Sequence, residues 1–136
     1  MSAAAYFADG DRVPRERFYA LACDPARSCV VEACAGAGKT WMLVSRILRA
    51  LLAGAEPQQI VAITFTRKAA GEMRQRFAEW LAEYATADDA TRVQALRDRG
   101  LSAAEAERLA PRLAALQGEL LRAGRGVEVR TFHGWF

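Results

Sequence analysis

Residues 33–40 read Ala33-Cys34-Ala35-Gly36-Ala37-Gly38-Lys39-Thr40. A run of small residues closing on a lysine and a threonine has the chemistry of a triphosphate grip. Small side chains let the main chain curl, so that successive N–H groups converge on one anion. A helix opening at Lys39 adds its own unpaired N–H groups and the positive end of its dipole. Lys39 is expected to reach the terminal phosphates of a nucleoside triphosphate. The Thr40 hydroxyl is expected to take one position on a Mg²⁺ that otherwise keeps phosphate oxygens and water. The usual spacing is G-x-x-x-x-G-K-[ST] in a strand–loop–helix context. Ala33 stands at the first position, where a tight turn with ordinary backbone angles still accepts it.

Two further segments carry chemistry of a different kind. The run Ile63-Thr64-Phe65-Thr66-Arg67-Lys68 lies where an apolar strand passes into a helix. An aromatic ring flanked by hydroxyls and cations suits single-stranded nucleic acid, the ring stacking on a base and the polar groups taking phosphates. By itself the same run also reads as a strand-end core residue beside a solvated helix start. The second segment, Val129-Arg130-Thr131-Phe132-His133-Gly134, carries the single histidine of the chain. His133 has no acidic or sulfur neighbour at metal-ligand spacing, which excludes a metal role for it.

The elements that must position these groups follow from periodicity. A short helix is expected over 15–22, after an irregular start as far as Pro14, and Asp24-Pro25 breaks it. Residues 29–33 read as a first strand. Val44, Ile47, Leu48, Leu51 and Leu52 recur at helical spacing and predict a helix over 39–53, ended by Gly54. Residues 60–65 are nearly all apolar, as in a parallel strand covered on both faces. Met73, Phe77, Trp80, Leu81 and Tyr84 mark the inner face of a helix over 67–84, with Arg74, Arg76 and Glu79 turned to water. Region 86–126 is Ala-, Leu- and Arg-rich and helical. Within it Ser102-Ala103-Ala104-Glu105 opens a helix as a capping box, and Pro111 is expected to kink or split that helix near Ala110. A turn at Gly124-Arg125-Gly126 leads to a third strand over 127–131. The expected fold is α/β, with right-handed crossovers and a parallel sheet flanked by helices.

Composition sets the outer limits. A chain of 136 residues with 52% apolar residues and 26% charged residues is one ordinary globular domain at most. A net charge of +3 permits nucleic acid as a partner without demanding it. No apolar run approaches the roughly eighteen residues of a membrane span, and the N-terminus has no secretory pattern. Cys23, Cys29 and Cys34 are three in number and form no C-x-x-C pair. They read as reduced thiols in a cytoplasmic protein.

Taken together, A-C-A-G-A-G-K-T, I-T-F-T-R-K-A-A-G-E-M and V-R-T-F-H-G resemble, in order and separation, the phosphate loop, the T-F-T-x-K-A-A segment and the T-x-H segment of superfamily 1 DNA helicases of the UvrD/RecB type. The likeness is greatest to the long helicase–nuclease subunits that process double-strand ends. It covers about residues 15–84 and 127–136 and says little about 86–126. It implies an incomplete RecA-like P-loop domain over 27–136, with 86–126 as a helical insertion, preceded by a segment 1–26 that carries a degenerate adenine-side motif. ATP and Mg²⁺ would be the cofactors, and the activity would be an ATP-driven 3′-to-5′ translocase that unwinds duplex DNA in repair. Ala33, Cys34, Ala35, Gly36, Ala37, Gly38, Lys39 and Thr40 would hold the nucleotide. Lys39 and Thr40 would act in catalysis. Thr64, Phe65, Arg67, Arg130 and His133 would touch the tracked DNA strand.

Three departures qualify the resemblance. Ala37 replaces the hydroxyl residue common in the family loop, losing a side-chain contact but no backbone donor. The family's adenine-reading glutamine is replaced by Arg17, which could stack on a base. The family's acidic strand end, D-E-x-x, has no counterpart in residues 41–136. Since phosphoryl transfer depends on such positioning, the expectation is an N-terminal part of a motor with little turnover of its own and bare apolar faces. The further partners expected are the remainder of the helicase chain and a partner nuclease subunit. A non-motor ATP-binding module and an inactive gene fragment are the alternatives; a small P-loop kinase would need a lid of clustered arginines, which is not seen.

Overall fold

A computed structural model describes residues 5–33 and 38–132. They form a mixed α/β arrangement with a small parallel sheet. The chain opens differently from expectation. Residues before Pro14 are not irregular but pair as an antiparallel hairpin, β1 (Tyr6–Ala8) with β2 (Asp11–Val13). Ala8 faces Asp11 across a two-residue loop. Asp9 and Gly10 both have positive φ, 51° and 87°, the geometry that Asp-Gly supplies and that matches strand twist. Helix α1 (Arg15–Ala22) follows Pro14 as its period predicts.

Residues 29–33 are the clearest correction. No ladder forms there, and Val30 is 93% exposed. Two short apolar side chains, Val30 and Val31, favour extended backbone, but a strand needs a neighbour for its N–H and C=O groups. None of the described residues supplies one. Instead the stretch leading to residue 33 is held from the side by Arg46. Its Nη1 donates to Ala22 O at 2.9 Å and to Cys29 Sγ at 3.5 Å, and its Nη2 donates to Arg27 O.

Helix α2 (Lys39–Leu52) buries Val44, Ser45, Ile47, Leu48, Leu51 and Leu52 along one stripe. Ala53 N closes onto Arg49 O at 2.9 Å, and Gly54 turns the chain at φ 109°. Strand β3 (Val61–Thr64) then pairs in parallel with β4 (Glu128–Thr131), Val61 opposite Glu128 and Thr64 opposite Thr131. The expected cover on both faces is absent among the described residues. Ala62 and Val129 turn inward to the core, whereas Val61 and Ile63 remain 42% and 50% exposed. Alternation puts every second side chain on the opposite face, where Val61 and Ile63 line an open groove with Leu43, Ile47 and Ala50 of α2.

The crossover from β3 to β4 runs through α3 (Arg67–Thr86), α4 (Asp89–Asp98) and α5 (Ala103–Ala123). Each start is capped as its residues dictate. Thr66, Asp88 and Ser102 accept from Ala69 N, Thr91 N and Glu105 N, and such caps are worth about 1 kcal/mol apiece. The thread through α3 also ties it to the sheet, because Arg74, expected to face water, donates Nη1 to Val129 O at 2.6 Å. Pro111 does not split α5, which continues unbroken past it. Pro111 and Glu107 both lie on the exposed side, so the carbonyl deprived of its partner faces water. Gly124, at φ 65°, caps the helix end. One apolar core joins α2, α3, α4, α5 and β4 through Leu48, Met73, Leu96, Leu113 and Val129. A second, smaller one joins α1 to α2 through Tyr19, Ala22, Cys23 and Met42.

Candidate nucleotide and nucleic-acid site

The start of α2 carries no side-chain cap, so the first-turn N–H groups keep their hydrogen-bonding capacity. Gly38 sits at its N-cap with φ 88° and ψ 20°, a left-handed conformation that suits glycine. Lys39 is exposed and Thr40 half-buried. The Tyr19 hydroxyl lies 4.0 Å from where a Cβ on Gly38 would stand. Burial, and then the neighbouring Tyr6, raise the Tyr19 pKa above its ordinary value, so this group stays a neutral phenol. Ala33 is half-buried just before the loop. Cys34, Ala35, Gly36 and Ala37 lie outside the described residues. Thr40 offers one hydroxyl, and among the described residues no three acids, cysteines or histidines gather in one place.

The pairing of Thr64 with Thr131 brings the two other segments to one sheet edge. Thr64 Oγ1 donates to Thr66 O at 3.0 Å, and Thr66 Oγ1 accepts from Ala69 N at 3.0 Å. These two bonds fix the strand-to-helix turn. They leave Phe65 projecting from it, 89% exposed. Such a ring contributes almost nothing to the core, which sets aside the reading of Phe65 as a buried strand-end residue. Arg67 and Lys68 are exposed beside it. On the neighbouring strand Arg130 pairs with Glu128 at 3.1 Å, both half-exposed. His133 lies outside the described residues.

Arg17 is exposed on α1, and no described contact joins it to Gly38 or Lys39. The cation of α1 that does reach the start of α2 is Arg15. Its guanidinium carbon lies 4.5 Å from the Tyr19 ring centre and 5.6 Å from that of Trp41. Trp41 in turn meets Tyr19 edge-on at 5.1 Å and Trp80 at 6.0 Å. Sequence reasoning missed this group. Arg15 stands four residues before Tyr19, one helical turn, a pairing signal that was there to be read. Arg99, which enters the same cluster from the turn that closes α4, carried no such signal.

Among the described residues no helix is long and apolar enough to cross a membrane. Comparison with known proteins gives the affiliation. An ATP-dependent helicase/nuclease subunit of Lactobacillus helveticus is 43% identical over 53 residues, 39% of this chain and 4% of the relative. The same-named protein of Streptococcus sanguinis is 42% identical over 57 residues, 42% of this chain and 5% of the relative. That of Acetivibrio thermocellus is 43% identical over 60 residues, again 42% and 5%. The chain thus spans about a twentieth of the length of these curated relatives. No solved structure matches it. Residues 15–135 match the UvrD/REP helicase N-terminal domain, and the chain belongs to that family.

Proposed function

We propose that this chain is the ATP-binding N-terminal part of an ATP-dependent DNA helicase. Residues 33–40 hold Mg-ATP, with Lys39 on the terminal phosphates and Thr40 on the metal ion; Arg17 is assigned the adenine side. Thr64, Phe65, Arg67, Arg130 and His133 hold a single DNA strand. The fold is read as RecA-like over 27–136, with 86–126 inserted. In the whole protein this site serves 3′-to-5′ translocation in DNA repair, beside further helicase domains and a partner nuclease subunit.

The observation that carries the reading is the Thr64–Thr131 pairing. It sets both candidate DNA segments at the carboxyl ends of adjacent parallel strands, the edge where open α/β sheets collect ligands. The relatives are named as ATP-dependent helicase/nuclease proteins, which supports both halves of the site. A sheet edge that holds a polynucleotide beside a helix start that holds a triphosphate lets nucleotide state alter DNA grip.

Calorimetric titration of the 136-residue chain with MgATP and with oligo(dT) tests it. MgATP binding that disappears in Lys39→Ala, together with oligo(dT) binding that survives in Lys39→Ala and weakens in Phe65→Ala, is expected. MgATP binding without any oligo(dT) binding would favour a non-motor nucleotide module. MgATP binding indifferent to Lys39→Ala would remove the phosphate-loop assignment.

A further inference from the structure

Arg99 is 2% exposed, and no carboxylate pairs with it among the described residues. Its Nη1 donates to Ala95 O at 2.8 Å, and its Nε has no hydrogen-bond partner. The guanidinium carbon instead lies 4.1 Å from the ring centre of Trp80, 5.0 Å from that of Trp41 and 5.4 Å from that of Tyr84. Burying a charge without a counter-charge is unfavourable. An apolar side chain would fill the same space more cheaply, so a guanidinium here does something other than fill. The guanidinium is rigid, and three rings gathered around one such cation are held relative to one another.

One of those faces belongs to the nucleotide helix. Trp41 follows Thr40 directly and stands in the first turn of α2. Arg15 reaches it from α1, Arg99 from the cap just past α4, and Trp80 from α3. The turn that carries Arg99 is gripped in the same way. Arg15 Nη1 donates to Asp98 O at 3.3 Å, and Arg49 Nη1 donates to Arg99 O at 3.1 Å. Gly100 lies so close to α1 that a Cβ there would stand 2.4 Å from Ala20 N. The α4–α5 turn is therefore wedged between α1, α2 and α3, with its one buried cation against the ring beside Thr40.

We infer that Arg99 is a positioning residue for triphosphate binding: by stacking on Trp41 it fixes the first turn of α2, and with it the directions of Lys39, Thr40 and their N–H groups. The inference rests on the nucleotide-binding reading above and adds a dependence of that site on region 86–126. A displacement of the first turn weakens every phosphate contact together, which is how a group that touches no ligand changes affinity.

The test titrates the 136-residue chain with a fluorescent ATP analogue in Mg²⁺, well below the unfolding midpoint of each variant. Arg99→Met removes charge and plane, and Arg99→Lys keeps the charge alone. Both are expected to weaken binding by the folded protein about tenfold, and Arg15→Met, at a less buried position, severalfold. Leu96→Ala supplies the comparison, since Leu96 is fully buried on α4 but belongs to none of the ring contacts. It is expected to lower stability and leave affinity within twofold. Wild-type affinity in Arg99→Met, or an equal loss in Leu96→Ala, would overturn the inference while the nucleotide reading stands. Should Arg99→Met fail to fold, unchanged affinity in Arg15→Met overturns it instead. Binding by the wild-type chain that does not depend on Lys39 would remove both readings.

Discussion

Gly100→Ala is the substitution with the sharpest structural forecast. Gly100 has φ 91°, and the added Cβ would lie 2.4 Å from Ala20 N, 2.5 Å from Ala20 Cα and 2.5 Å from Tyr19 C. All three neighbours are backbone, so no rotamer change relieves the overlap. The conformational part of the penalty is about 1–2 kcal/mol for an L-residue at positive φ. The larger part comes from the turn moving away from α1. That movement loosens the guanidinium stack, about 2 kcal/mol where it is desolvated, and the charged hydrogen bonds to Asp98 O and Arg99 O, about 1.5–3 kcal/mol each. A loss of more than about 4 kcal/mol follows, a large share of the stability of any small domain. Gly124→Ala is the matched control. It too has positive φ, 65°, with nothing within 4 Å of the added Cβ, and is expected to lose about 1 kcal/mol. Urea unfolding of both variants, followed by far-UV circular dichroism, measures the difference. Equal losses in the two variants would mean that the wedge against α1 carries no weight and that the packing argument built on it is wrong.

Burial pushes the Cys23 thiol up from 9.0 to about 11, against the lowering pull of Arg49, Arg99 and Arg46. A thiol that holds its proton more tightly when folded stabilises fully below about pH 9, and its contribution falls by about 2–3 kcal/mol as pH rises through 11; denaturant melts across that range should show a fall smaller by that amount in Cys23→Ala than in the native chain, the remainder coming from groups such as Tyr19, whose raised pKa acts in the same sense. Phe65→Ala should shift the unfolding free energy by less than about 0.5 kcal/mol, because the ring is exposed, yet weaken oligo(dT) binding by about 1–3 kcal/mol in fluorescence anisotropy. Leu48→Ala, at a fully buried position of α2, should cost about 3–5 kcal/mol in the same melts.

Helix α2 was legible in the sequence because Val44, Ile47, Leu48, Leu51 and Leu52 share one period, and packing rewards that period directly. Ser102 and Glu105 gave away the start of α5 for an equally local reason: the cap is made within one turn. Strands near 60–65 and 127–131 in a parallel sheet also followed, from two short runs rich in β-branched residues separated by helices; that these two are direct neighbours did not. Strand 29–33 did not. Apolar β-branched residues state a preference for extended backbone, but the ladder depends on a neighbour far along the chain. The hairpin at 6–13 was readable from Asp9-Gly10 and was passed over, since three-residue strands show almost no alternation. Of the candidate site, Lys39, Thr40 and the 64–67 turn were legible as local motifs. Arg99 was not, because an arginine in a helix rich in Arg92 and Arg97 reads as solvated surface. Only the three-dimensional meeting of α2, α3 and α4 shows it buried.

Arg46 has a kinetic consequence. Three acceptors on the stretch from Ala22 to Cys29 depend on this one guanidinium of α2. Beyond Ala22 the stretch has no ladder or helix, only the local turn in which Ala26 N and Arg27 N donate to Asp24, so its placement against the rest of the fold depends on α2. During refolding the entrance to residues 33–40 is therefore among the last features to be completed. Ligand-binding competence should lag behind the recovery of helical signal, by an interval that lengthens when Arg46 is replaced with a shorter side chain.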